Sequence, residues 1–197
     1  MDVFQIGSYG TFKVRKLQQD EKVKSFDCGD DELNDFLLNE AAPYRKYLLA
    51  VTYVFENVET KEIVGYFSLA NDKISLTDFL NKTEFNRFRK QRFVNKKRIK
   101  SYPAVKICRL GVSETFHGKG VGTILLDFIK SYFIIENKTG CRFLVVDAYN
   151  NPRTLRFYER NNFRFLHTDE VEECAYYNIS DDDKIATRLM YFDLKKP

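Results

Sequence analysis

Tryptophan is absent from these 197 residues, histidine and methionine occur twice each, and proline four times. Two histidines, His117 and His167, leave a histidine-based metal centre almost no material, and no metal site is expected. The four cysteines (Cys28, Cys108, Cys141, Cys174) are scattered, with no Cys-x-x-Cys pair. That spacing argues against a zinc ribbon or a disulfide frame and predicts reduced thiols, with Cys108 and Cys141 buried. No apolar run approaches the roughly 20 residues that span a bilayer. The start, Met1-Asp-Val-Phe-Gln-Ile-Gly7, has no basic region, apolar stretch or small-residue cleavage site, so a cytoplasmic protein is expected. Internal repeats and Gly/Ser/Pro-rich linkers are also missing. With 44% hydrophobic and 30% charged residues, this predicts one domain over residues 1–197.

Glycine is scarce too, nine in all, yet four fall between positions 111 and 122. There an apolar strand pattern, Ala104 to Val112, leads into His117-Gly118-Lys119-Gly120-Val121-Gly122. Val121, Ile124, Leu125, Phe128, Ile129 and Tyr132 then follow at helical spacing. A strand feeding a glycine-rich turn that opens a helix is a device for holding phosphate. Glycines let backbone N–H groups close on the anion, and the first helical turn adds unpaired donors and the positive dipole end. Lys119 adds a cation. The spacing excludes a P-loop, which needs Gly-Lys-Ser/Thr where Gly follows Lys here. It also excludes the dinucleotide fingerprint, whose third glycine comes three residues after the second rather than two.

This stretch resembles the acetyl-CoA-binding core of the GCN5-related N-acetyltransferases (GNAT). The family signature Arg/Gln-x-x-Gly-x-Gly/Ala is matched by His117-x-x-Gly120-x-Gly122, with histidine in place of Arg or Gln, and follows the triplet Leu110-Gly111-Val112. A second block agrees. Phe143-Leu-Val-Val-Asp-Ala148 reads as a buried strand, and Asn151-Pro-Arg-Thr-Leu-Arg-Phe-Tyr158 with Asn162-Phe163 resembles the family's last helix and turn. Asn162 replaces the usual glycine, which is tolerable because both accept a left-handed helix end. The resemblance implies an α/β single-domain GNAT fold: a mixed, mostly antiparallel sheet of six to seven strands with helices on both faces. It implies acetyl-CoA as cosubstrate, held by Leu110, Gly111, Val112, His117, Gly118, Lys119, Gly120, Val121, Gly122, Thr123 and Asn151. It further implies acetyl transfer to a primary amine by direct attack in a ternary complex; a homodimer is common among relatives, and the oligomeric state stays open.

The chemistry needs a donor to the thioester carbonyl, a proton for the departing thiolate and a route for the amine's proton. The resemblance places the carbonyl donors near Leu110–Val112 and makes Tyr158 the catalytic acid. A phenol of pKa near ~10 stays protonated at neutral pH and suits that role. Some members carry a base at the position of Val146, and valine takes no proton. Asp147 alternates to the other strand face, and Glu114, Asp72 and a water chain all stay open as the base. An acceptor that arrives neutral needs no strong base, which fits α-amines (~7.7–8.0) better than lysine (~10.4).

The segment Phe26-Asp-Cys-Gly-Asp-Asp-Glu-Leu-Asn34-Asp-Phe-Leu37, with Gly65-Tyr66-Phe-Ser-Leu69, resembles the N-terminal half of GNAT toxins of bacterial toxin–antitoxin modules. Those acetylate the α-amine of aminoacyl-tRNA. Acceptors therefore stay open among small molecules, peptides and aminoacyl-tRNA. The rival of another class is a protein that binds acetyl-CoA or RNA without turnover, against which Tyr158 speaks.

Residues 76–100 read as a basic insertion. From Lys82 to Lys100 there are nine basic residues and one acid, with Phe85, Phe88 and Phe93 interleaved, predicting a surface for an anionic partner or a solvated helix. Asp169–Asp183 is acid-rich and reads as a solvated loop or as an acidic loop near the acceptor site that attracts an amine. Strands are expected near Phe12–Leu17, Leu49–Phe55, Ile63–Leu69, Phe163–His167 and Ala186–Leu194. A helix capped by Asp30 and ended by Pro43 is expected, and another over Asp78–Asn86.

Overall fold

The computed structural model describes residues 3–135, 137, 140–180 and 184–195. Its strands are β1 (Val3–Gln5), β2 (Thr11–Lys16), β3 (Val51–Asn57), β4 (Ile63–Ser75), β5 (Ser101–Val112), β6 (Phe143–Tyr149), β7 (Arg164–Phe165) and β8 (Thr187–Asp193). Its helices are α1 (Asp31–Asp35), α2 (Ala41–Lys46), α3 (Lys82–Lys90), α4 (Val121–Ile135), α5 (Pro152–Arg160) and α6 (Glu170–Tyr177). The strands form one mixed sheet in the order β1-β2-β3-β4-β5-β6-β8-β7. The pairs β1/β2, β2/β3, β3/β4, β6/β8 and β7/β8 are antiparallel, while β5 and β6 run parallel over Ala104–Lys106 and Phe143–Val145. Eight strands replace the six to seven expected: β7 falls within the strand expected near Phe163–His167, and the addition is β1, whose three residues are too short to show an alternating pattern.

The chain divides into two compact units, Met1–Ala70 with Ile107–Tyr132, and Asn71–Lys106 with Phe133–Pro197. In the first, alternate residues of β4 serve opposite faces. Tyr66 packs with Phe26 and Phe36, and its hydroxyl donates to the Leu33 carbonyl at 2.7 Å, so α1 lies on that face. Phe67 points the other way, to Phe128 of α4 at 5.9 Å. Of the stripe expected from helical spacing, Val121, Leu125 and Ile129 are buried on the inner side of α4 while Ile124, Phe128 and Tyr132 are half-buried, and Leu126, outside that stripe, is fully buried with them. Asp30 caps α1 through Leu33 N–H. Pro43 does not end the helix, however. A π-helical turn, Phe36–Glu40, hands over to α2, whose third residue is Pro43, a first-turn position where no N–H is needed. The turn lets Phe36, Leu37 and Ala41 all reach the core.

In the second unit Phe143 and Val145 of β6 and Tyr191 of β8 pack against Phe85 and Phe88 of α3. The opposite face takes α5, through Phe192, Phe163 and Tyr158. Asn81, accepting from Thr83 and Glu84 N–H, starts α3 at Lys82 rather than Asp78. Residues 170–177, expected as a solvated acidic loop, form α6. Glu173 is fully buried there, accepting from Leu189 N–H and ion-paired with Arg188. The acids Asp181–Asp183 lie outside the described residues. Cys141 is buried, as expected, and its thiol is pushed up to about 11 by burial, whereas Cys108 is only half-buried and Cys28, in the segment before α1, is buried instead.

Tyr53 yields a testable consequence. Burial first, and Tyr132 beside it, push its phenol up to about 12. An unfolded tyrosine loses its proton near ~10, so between these values the native state holds a proton that the unfolded chain has lost. Stability is therefore full below pH ~10 and falls as pH rises toward 12. The thermal midpoint should drop across that interval, less steeply in Tyr53→Phe. Equal slopes in the two proteins would remove Tyr53 from the effect.

Candidate active site

The strand that ends at Val112 is shaped by a single missing side chain. A Cβ on Gly111 would lie 2.7 Å from the buried Tyr66 ring and 3.4 Å from Phe26. Glycine is thus required where the strand crosses that ring. Beyond it, Ser113 N–H reaches the Val64 carbonyl and Glu114 N–H the Asp27 carbonyl. The turn at Asp27 is itself fastened. Asn34 accepts from Cys28 N–H and donates to Asp27, whose carboxyl is held below its ordinary range by Gly29 N–H and then by Asn34. This explains the Cys-Gly…Leu-Asn pattern physically: the asparagine staples the turn that supports the end of β5.

The glycine loop follows. Gly118 and Gly120 have φ of 74° and 80°, the left-handed region that glycine adopts freely, and a Cβ on either would meet nothing within 4 Å. The mouth of the loop is therefore open. Ile124 N–H bonds the Gly120 carbonyl at 3.1 Å and closes the first turn of α4. By helix geometry, Val121, Gly122 and Thr123 N–H precede that bond and lack an intrahelical acceptor. Three donors and the helix dipole at an open mouth make an anion cradle. His117 turns inward, its Nε2–H donating to the Val112 carbonyl at 2.8 Å. Its ring braces the loop, so its contribution to a bound anion is indirect.

The second unit holds the remaining expected residues. Tyr158 is buried on α5, edge-on to Phe163 at 5.3 Å. Burial alone raises its phenol well above the ordinary tyrosine value, so it stays protonated throughout the neutral range. Asn151 caps α5, accepting from Thr154 N–H at 2.9 Å, with Pro152 at the first helical position. Its side-chain oxygen is thereby engaged structurally. Asn162 adopts φ of 64°, the left-handed helix end anticipated for it. Val146 is buried, while Asp147 faces the other way and pairs with Lys106.

Of the other candidate bases, Glu114 is exposed with its carboxylate against Gly29, and Asp72 is exposed and caps Lys73 N–H. Sequence reading missed Tyr66, Tyr9 and the stapling role of Asn34. A glycine in a strand, as at position 111, signals close backbone approach, but what approaches is decided 45 residues away.

An acetyltransferase (GNAT) family model matches residues 13–163. Similar solved structures include AtaT complexed with acetyl-methionyl-tRNAfMet, at 18% identity, covering 93% of this chain and 95% of that one with TM-score 0.68. A tyrosine-to-phenylalanine variant of KacT matches at 20% identity, 93% and 95% coverage and TM-score 0.69. AtaTR bound with acetyl-CoA matches at 20% identity, 93% and 94% coverage and TM-score 0.67. At these identities the likeness to the solved structures establishes the fold.

Two substitutions separate the strand from the loop. Gly111→Ala should destabilise by about 1–3 kcal/mol, because a buried ring must move. Gly120→Glu should keep the fold at a cost of about 1–2 kcal/mol in backbone strain at this left-handed position, and should abolish acetyl-CoA binding, since it sets a carboxylate at the open mouth. Calorimetry showing parental affinity in Gly120→Glu would remove the loop from the site.

Proposed function

This chain belongs to the acetyltransferase (GNAT) family, and from that premise we propose that its acceptor is the α-amine of an aminoacyl-tRNA. In this reading residues 1–197 work as one catalytic domain, as a homodimer in the cytoplasm. The observation that carries the proposal is how the basic segment divides. Arg89 donates to the carbonyls of Arg98 and Ile99, Arg92 stacks over Phe88 at 4.0 Å and bonds the Tyr191 hydroxyl, and Arg98 donates to the Phe93 carbonyl. These three are built into the fold. Lys82, Arg87, Lys90, Lys96, Lys97 and Lys100 are exposed, beside exposed Val94 and Ile99. A rigid base carrying free cations suits a phosphate backbone. The solved neighbour AtaT, complexed with acetyl-methionyl-tRNAfMet, supports the same acceptor class. Val146 supports it as well, because an α-amine reaches neutrality without a strong base.

The mechanism follows from the groups assigned. Backbone donors of the loop hold the cofactor's phosphates, and the N–H groups ending β5 polarise the acetyl carbonyl. One such donor is typically worth ~3–4 kcal/mol. The neutral amine attacks the carbonyl carbon, and the carbon–sulfur bond breaks as the tetrahedral oxyanion collapses. Tyr158 gives its proton to the thiolate. Burial keeps Tyr158 protonated before the step and also makes it a weaker acid, so the phenolate is reprotonated from solvent after each turnover. The proton lost by the amine passes to solvent.

Two measurements test this. KM for aminoacyl-tRNA should rise steeply with salt, with a log–log slope of roughly 0.7–0.9 per phosphate contact. Replacing Lys90, Lys96, Lys97 and Lys100 by Gln should flatten that slope and leave acetyl-CoA affinity unchanged. Arg89 is omitted because its removal would disturb the fold. Absence of tRNA binding at low salt would end the proposal. Tyr158→Phe should lower kcat by roughly 10²–10⁴-fold with acetyl-CoA affinity intact, and full kcat with chemistry rate-limiting would return Tyr158 to a packing role.

A further inference from the structure

The cation of the glycine loop is held by rings rather than by a carboxylate. Lys119 Nζ lies 3.8 Å from the centroid of Tyr9 and 4.9 Å from that of Phe116. Among the described residues Lys119 makes no ion pair. Phe116 ends the short turn Glu114–Phe116 ahead of the loop, edge-on to Tyr9 at 5.9 Å and to fully buried Phe12 at 5.7 Å. The two-ring seat therefore rests on the core. Tyr9 comes from the turn between β1 and β2, which is closed by Tyr9 N–H to the Ile6 carbonyl at 2.9 Å and Ile6 N–H to the Gly10 carbonyl at 3.2 Å. Tyr9 is 48% exposed, so its place is not that of a core residue.

We propose that Tyr9 is a positioning residue for cofactor binding, seating the Lys119 ammonium beside the glycine loop so that it meets the cofactor's diphosphate already ordered. The inference rests on the reading that this loop takes acetyl-CoA. A ring face attracts an ammonium without neutralising it and without consuming all three of its donors. A carboxylate in the same place would cancel the charge that the anion needs. A lysine left in solvent would lose its rotamer freedom when the phosphates arrive, and the seat removes part of that cost beforehand.

Affinity for coenzyme A, measured by calorimetry in a double-mutant cycle, tests the coupling. Tyr9→Leu keeps an apolar side chain and removes the ring, and should weaken binding by about 2- to 5-fold, the range of an exposed cation–π contact. Tyr9→Phe should restore parental affinity. In a Lys119→Met background, Tyr9→Leu should change nothing. Equal losses in both backgrounds, no loss in either, or failure of Tyr9→Phe to restore binding would overturn the proposal. A parent protein that binds no coenzyme A would instead overturn the reading of the loop and this proposal with it.

Discussion

The Tyr66 ring is the piece on which the first unit, with its glycine loop, is assembled. It is completely buried, it excludes any side chain at Gly111, and its hydroxyl fixes the Leu33 carbonyl of α1. Phe26 and Phe36 stand against it from the segment that Asn34 staples. A phenol buried this deeply must find an acceptor, and finding it on α1 couples the N-terminal helix to the strand that leads into the glycine loop. The end of β5 is thus located by packing on one side and by backbone bonds from Ser113 and Glu114 on the other. Donors that stabilise developing charge are useful in proportion to how firmly they are held, because they then need no reorganisation during reaction.

Charge in the second unit follows a different logic. Arg89, Arg92 and Arg98, which donate to carbonyls or lie on rings, hold the basic insertion in place, and the lysines and Arg87 are left for solvent or a partner. Arg suits the first task because its planar fork bonds several acceptors while stacking, and Lys suits the second as a mobile point charge. The Glu173–Arg188 pair beneath α6 belongs to the built-in set. Such a buried pair contributes little net stability over apolar packing, yet removing one partner would strand the other charge. The same unit keeps Tyr158 in surroundings that favour its neutral form.

The glycine loop and the block around Tyr158 were legible in the sequence because their information is local. Positions 117–122 state a backbone conformation, and the stripe from Val121 to Ile129 states a helix face. Asn162 could be read as a left-handed helix end for the same reason. What escaped depends on distant partners. Residues 170–177 look like a solvated acidic run until Arg188 and the Leu189 amide supply Glu173 with a buried partner set. Pro43 looks like a helix stop unless a π-turn precedes it. Tyr9 shows no pattern, since its meaning lies in Lys119, more than a hundred residues on. The division of the basic segment was likewise invisible, because composition counts arginines and lysines alike.

The central claim is that the acetyl group of acetyl-CoA ends on the α-amine of an amino acid esterified to tRNA. The direct measurement is mass spectrometry of the 3′-terminal aminoacyl-adenosine, released by nuclease after incubating the protein with acetyl-CoA and charged tRNA. The account predicts N-acetyl-aminoacyl-adenosine, formed by the parent and nearly lost in Tyr158→Phe. Acetyl found only on free small amines or protein side chains, with the aminoacyl-adenosine unmodified, would contradict it.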